Sequence, residues 1–224
     1  MIRFFLPVIV LGIGSLLLTA ADKEKDWKDL FDGTTLKGWE KADYVRSGKV
    51  EVKDGVILLE KGNAMTGVTY TKGDFPTMDY EVTLDSKKIA GNDFFCTTTF
   101  PVGKSYCSLV VGGWGGKVVG LSSINQSDAS ENETRKDREF KTDQWYPVRI
   151  RVSQNRIECW IDGEKLVNLD STDRRISTRL ECNACQPFGI CTYNTTAVVR
   201  GIKVRPLTEA DKKDIAATKP ESKE

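Results

Sequence analysis

A period of two runs through the chain from Lys49 to about Arg205, and it constrains the fold more than any other feature. Met78, Tyr80, Val82 and Leu84 alternate with Asp79, Glu81, Thr83 and Asp85, the pattern of a half-buried strand. Asp54-Gly55 is a two-residue hairpin signal, and pairing across it sets Val52 against Ile57 and Val50 against Leu59 on one face. Gln154-Asn155 serves the same role later, setting Val152 against Ile157, Ile150 against Cys159 and Val148 against Ile161. On the opposite face the same register sets Arg151 against Glu158, an ion pair, and Arg149 against Trp160, a cation–π contact. Asp162-Gly163 then turns the chain again, so residues 145–170 read as a three-stranded meander.

Further strands are expected near 66–71, 92–100, 105–111, 117–122, 188–193 and 197–205, with no convincing helical stripe between them. Many short strands with Gly-rich turns over about 180 residues predict one all-β domain, a sandwich or barrel. The tail, residues 208–224, is charged and Lys-rich and is expected to be disordered, with a frayed helix after Thr208 as the alternative.

At the start, Arg3 precedes an apolar run from Phe4 to Leu18 and then Thr19-Ala20-Ala21. This is the pattern of a secretory signal peptide, residues 1–21, cleaved near Ala21; the rival reading is an uncleaved membrane anchor, for which the run is short. The expected location is therefore secreted or periplasmic. Removing it takes away only Arg3, leaving 32 positive and 32 negative side chains and no net charge. Such a surface argues against nucleic acid, or a membrane for the mature form, as partner. The chain has no histidine, which excludes Ser-His-Asp and Cys-His catalysis, histidine metal ligands and an imidazole base. Any catalysis falls to carboxylates, Lys, Tyr, Cys, Ser or a metal on oxygen ligands.

Export makes the six cysteines read as disulfides rather than metal or redox ligands. Cys96 and Cys107 flank the turn Pro101-Val102-Gly103-Lys104 with an odd separation, so they share a face of a hairpin and are expected to bridge. The pairing of Cys159, Cys182, Cys185 and Cys191 stays open.

Two ends of the domain carry a resemblance. One is Asp29-Leu30-Phe31-Asp32-Gly33-Thr34-Thr35-Leu36-Lys37-Gly38-Trp39. The other is Pro187-Phe188-Gly189-Ile190 followed by Val199-Arg200-Gly201-Ile202-Lys203-Val204-Arg205-Pro206-Leu207. Together they resemble the 3-keto-disaccharide hydrolase family, and the resemblance extends over residues 27–207 within a domain expected to span 22–207. It implies a concanavalin A-like jelly-roll β-sandwich of two antiparallel sheets with a sugar-sized groove, and hydrolysis, elimination or hydration of 3-keto-glycosides and their glucals. The sequence departs from the family pattern at Gly91-Asn92-Asp93-Phe94-Phe95-Cys96, where members often have N-S-G-hydrophobic-x-x-R, and at Gly201, where Asn is usual. No catalytic set is carried over.

Candidate site residues come instead from the segment 112–140. Trp114 sits between Gly112-Gly113 and Gly115-Gly116, a platform for a sugar face or a packed turn. The polar loop that follows supplies Asp128, Glu131 and Glu133, with Asn132 and Arg138. These suit an acid and a base, sugar hydroxyls or a Ca²⁺ ion, or simply a solvated loop. Asn92 and Asp93 open a neighbouring strand and are expected to face the same groove. Beyond that optional Ca²⁺ no cofactor is expected, and the expected partner is a sugar or oligosaccharide. Three readings follow: an exported enzyme on 3-keto sugars using Glu131, Glu133 and Asp128; a carbohydrate-binding module using Trp114; and a structural envelope domain.

Overall fold

The computed structural model describes residues 26–220, and the expected signal peptide lies outside the described residues. Among the described residues, fifteen strands form two antiparallel sheets. One has eight strands: β1 (Lys28–Asp29), β3 (Val50–Lys53), β4 (Val56–Leu59), β6 (Tyr80–Gly91), β11 (Trp145–Ser153), β12 (Arg156–Ile161), β13 (Glu164–Asp170) and β15 (Thr195–Pro206). Their order is β13-β12-β11-β6-β15-β4-β3, with β1 also on β15. The other has seven: β2 (Trp39–Lys41), β5 (Met65–Tyr70), β7 (Thr97–Val102), β8 (Ser105–Gly112), β9 (Val118–Ser122), β10 (Lys136–Asp137) and β14 (Phe188–Tyr193). Their order is β10-β9-β8-β7-β14-β5-β2. This is the jelly-roll sandwich that the resemblance implies.

The hairpin chemistry sets the register. Val52 pairs Ile57 and Val50 pairs Leu59 across Asp54-Gly55, and β11–β12 pairs Val152 with Ile157 through Val148 with Ile161. Asp54, Gly55, Asp162 and Gly163 all have positive φ, as two-residue hairpin turns require. Inward side chains of both sheets meet in one core, where Phe75 stacks on Phe188 at 4.3 Å and meets Tyr80 edge-on. Each fully buried aromatic or aliphatic side chain there contributes roughly 1.5–3 kcal/mol.

The opening segment is structural. Leu30 and Phe31 are buried, and Trp39 packs edge-on to Tyr70 and Phe188 while its indole N–H donates to the Leu30 carbonyl at 2.8 Å. Asp32 accepts hydrogen bonds from the side chains and backbone amides of Thr35 and Thr34, which hold its carboxyl far below the usual carboxylate range.

Three expectations need correction. The β7–β8 hairpin closes at Val102–Ser105, which places Cys107 opposite Phe100 and four residues along from Cys96. At about 3.3 Å per residue they stand roughly 13 Å apart, and all six cysteines are unbridged. The expected strand at 92–100 starts only at Thr97, because Asp93 uses its side chain and backbone to fix loops rather than extend a ladder.

The third correction concerns the tail. Thr208 and Asp211 form a reciprocal capping box that starts a helix, α1 (Glu209–Ala217). Its charges are not solvated as a run: Asp211 pairs with Arg205 at 2.6 Å, Asp214 with Arg151 at 3.0 Å, and Ile215 is buried. No helix among the described residues is long and apolar enough to cross a membrane.

Candidate functional site

Strands β5, β7 and β9 are buried on both faces, so the seven-stranded sheet carries a covering on its outer side. Alternation fixes which side chains meet that covering. Phe100, Leu109, Leu121 and Phe188 face the core, whereas Met65, Thr97, Val110, Ser122 and Tyr193 face outward. The covering is the 3₁₀ turn Leu180–Cys185 on one side and the Gly112–Gly116 turn on the other. Between them lies a cavity of about 400 Å³ lined by those five residues, by Ala64, Asp93, Phe94 and Trp114, and by Arg179, Glu181 and Cys182.

Trp114 stands at the mouth, 44% exposed, in a left-handed conformation (φ 48°, ψ 56°). The flanking glycines make that turn accessible: Gly112 and Gly115 have φ of 78° and 86°. Asp93 holds it, one carboxylate oxygen accepting from Gly115 N at 3.2 Å and the other from Phe94 N at 2.8 Å. Arg179 reaches over the Trp114 ring at 5.7 Å and pairs with Glu181 at 2.6 Å and Asp128 at 2.7 Å. Burial opposes its charge, but the Glu181 and Asp128 carboxylates outweigh it and raise its pKa. On the floor, the Thr97 and Ser122 hydroxyls are buried and have no hydrogen-bond partner among the described residues. Leaving each unsatisfied costs about 1–3 kcal/mol, so a ligand hydroxyl reaching the floor would find two groups ready to bond.

Of the residues the sequence singled out, Trp114 and Asp93 line this cavity, and Asp128 joins it through Arg179. Asn92 stands behind it, its carbonyl close to Gly116. The remaining candidates are placed elsewhere. Asn132 is buried in its own loop, donating to the Leu121, Ser127 and Asp128 carbonyls and accepting from Thr134. Glu133 pairs with Arg174 at 2.8 Å, and Glu131 is exposed. Arg138 reaches the β12–β13 turn, bonding the Ile161 carbonyl and Glu164. Glu131, Glu133 and Arg138 are not among the lining residues, so the expected grouping with Trp114 is corrected. The loop must satisfy its own carbonyls and charges first. No group of three or more carboxylates or cysteines among the described residues is arranged to hold a metal ion.

Gly189 sets how closely the covering lies on the sheet. A Cβ there would meet the Val68 carbonyl at 2.6 Å and the Cys185 carbonyl and Cβ at 2.7 and 2.8 Å. Gly189→Ala is therefore expected to push the 3₁₀ turn off the sheet and cost about 1–3 kcal/mol, as overpacking does. Urea denaturation checks the stability loss; a midpoint equal to that of the parent would refute the close approach.

The fold and the walled cavity define a jelly-roll β-sandwich domain with a covered outer sheet face. The chain belongs to the 3-keto-alpha-glucoside-1,2-lyase-like domain family, whose model matches residues 26–205. No curated protein matches the sequence. Among solved structures it is similar to a glycosyl hydrolase candidate from Parabacteroides distasonis, at 15% identity and TM-score 0.54 over 86% of this chain and 99% of that one. It is also similar to carbohydrate binding module CBM66 from Bacillus subtilis, at 11% identity and TM-score 0.52 over 77% and 96%. A third is domain 4 of AbnA, an extracellular arabinanase from Geobacillus stearothermophilus in complex with arabinotriose, at 15% identity and TM-score 0.51 over 80% and 87%. At these identities the likeness is one of fold.

Proposed function

We propose that the chain is an exported lyase or hydrolase of 3-keto-glycosides, and that the cavity beside Trp114 is its active site. The observation that carries this reading is the pairing of an exposed Trp with the unpartnered Thr97 and Ser122 hydroxyls and two carboxylates in one sugar-sized space. Family membership supports 3-keto-glycosides as the substrate class.

The chemistry needs no histidine. A 3-keto group acidifies the hydrogen on C2, so a carboxylate serves as base. Glu181 takes that role: one oxygen is held by Arg179 at 2.6 Å, and the other makes no hydrogen bond among the described residues. Removal of the C2 proton gives an enolate, and collapse of that enolate expels the group on C1. The departing oxygen gains a proton, which the Tyr193 phenol on the same cavity can supply. Arg179 lies beside Glu181 and offers positive charge to the enolate oxygen. Asp93 is a positioning residue, since both its oxygens already hold the Trp114 turn.

The test is incubation with a panel of 3-keto-α-glucosides and 3-keto-disaccharides, with and without added Ca²⁺ or Mn²⁺, reading release of the C1 substituent. Turnover is expected, and Trp114→Ala should raise KM about tenfold, the loss of one stacking contact. Saturable binding of the same sugars without turnover would replace the enzyme reading with that of a carbohydrate-binding module. Neither binding nor turnover would remove both.

A further inference from the structure

Three thiols meet under the wall of this cavity. Cys182, Cys185 and Cys191 are all buried in one small cluster separate from the main core, with Met65 and Ala42. Cys191 projects outward from β14 into this cluster, where it packs with Cys182 and Cys185. The three differ in their other neighbours. Cys185 contacts the Tyr44 hydroxyl at 3.3 Å, and only Cys182 lines the cavity. The remaining cysteines are placed differently: Cys96, Cys107 and Cys159 are enclosed in the main core.

We propose that Cys182 and Cys191 form a reversible disulfide with low-molecular-weight disulfides as oxidant, and that this bond ties the cavity wall to the sheet. The Cys182 thiolate attacks a sulfur of glutathione disulfide through the cavity mouth. That forms a mixed disulfide on Cys182 and releases one glutathione thiolate. Cys191 then attacks the Cys182 sulfur and displaces the second glutathione, which takes up the Cys191 proton. Two protein thiols are oxidised and one glutathione disulfide is reduced to two glutathiones.

The electrostatics agree with this order. The neighbouring Cys191 thiol lowers the Cys182 pKa despite burial, and Cys182 in turn raises that of Cys191. Burial pushes Cys96 up to about 11 and Cys107 to about 12, which makes them inert. The bond joins two sides of the proposed site: Arg179 and Glu181 immediately precede Cys182, whereas Cys191 stands on the sheet beside Thr97. Oxidation therefore fixes the segment that carries the charged groups. The inference rests on the thiol geometry and holds whether or not the cavity processes sugars.

The experiment treats the purified full chain with glutathione disulfide under native conditions. Free thiols are blocked with one alkylating label, the protein is reduced, and a second label is added. Residues 180–200 lie in one tryptic peptide, so fragment-ion sequencing assigns each label. The expected result is the second label on Cys182 and Cys191, the first on Cys185, and a free-thiol count that falls by two. Cys185→Ser should leave this pattern intact, and Cys191→Ser should stop at one glutathione on Cys182. Hydrogen exchange of residues 179–186 should slow severalfold on oxidation. Second label on Cys185, on a core cysteine, or on none would overturn the proposal, as would oxidation that leaves exchange unchanged.

Discussion

Glu181→Gln is expected to lower kcat on a 3-keto-glucoside by about 10²–10⁴-fold, the usual contribution of a positioned general base. The substitution keeps the volume and leaves an oxygen that still accepts the Arg179 hydrogen bond, so the wall should stay in place. What it removes is the capacity to take a proton. KM should therefore move far less than kcat, which separates loss of the base from loss of the site. Asp93→Asn is expected to behave in the opposite way. Its carboxylate serves Gly115 and Phe94, so weakening it loosens the Trp114 turn and raises KM. Glu131→Gln is the third arm. A loss there comparable to that predicted for Glu181→Gln would move the base into the polar loop, where the sequence pattern first suggested it. A wild-type rate for Glu181→Gln would sink the assignment directly.

That contrast shows what the sequence could and could not disclose. Register was legible because Asp-Gly pairs and alternating Val and Ile residues specify it locally, within ten residues of each turn. The family's opening segment was legible for the same reason, as Asp32, Gly33 and Trp39 close a turn against their own neighbours. The cavity floor was not. Thr97 and Ser122 lie on strands covered on both faces, where alternation no longer separates inside from outside.

Arg179 and Glu181 sit in an irregular segment whose approach to Trp114 depends on how the whole sheet is covered. Only Gly189, which permits that approach, left a trace in the sequence. Asn132 misled because a buried amide and a sugar-binding amide look alike in sequence. Its loop needed every hydrogen bond that side chain could make.

The largest stability effect is expected on the opposite sheet, at Glu158. Its register partner is Arg151, which donates to Glu158 at 2.6 Å, while Lys165 bonds the other carboxylate oxygen. The Arg151 and Glu158 side chains are 3% and 1% exposed, and the Trp160 ring covers the pair with Arg149 at 4.0 Å and Lys165 at 4.8 Å. Glu158→Ala leaves the buried Arg151 guanidinium with the exposed Asp214 carboxylate as its one remaining ion-pair partner among the described residues. Removing one partner of a buried pair costs about 3–5 kcal/mol, which for a domain of this size lowers Tm by roughly 10 °C. Asp214→Ala removes the exposed partner alone and should cost less than about 1 kcal/mol. The pair itself need not be stabilising. Replacing both members by apolar residues, Arg151→Met with Glu158→Leu, should recover most of the loss, because no charge is then left buried. Urea denaturation followed by tryptophan fluorescence distinguishes these outcomes. If Glu158→Ala costs no more than Asp214→Ala, or the double variant is as unstable as Glu158→Ala alone, the buried charge is not what the sheet depends on.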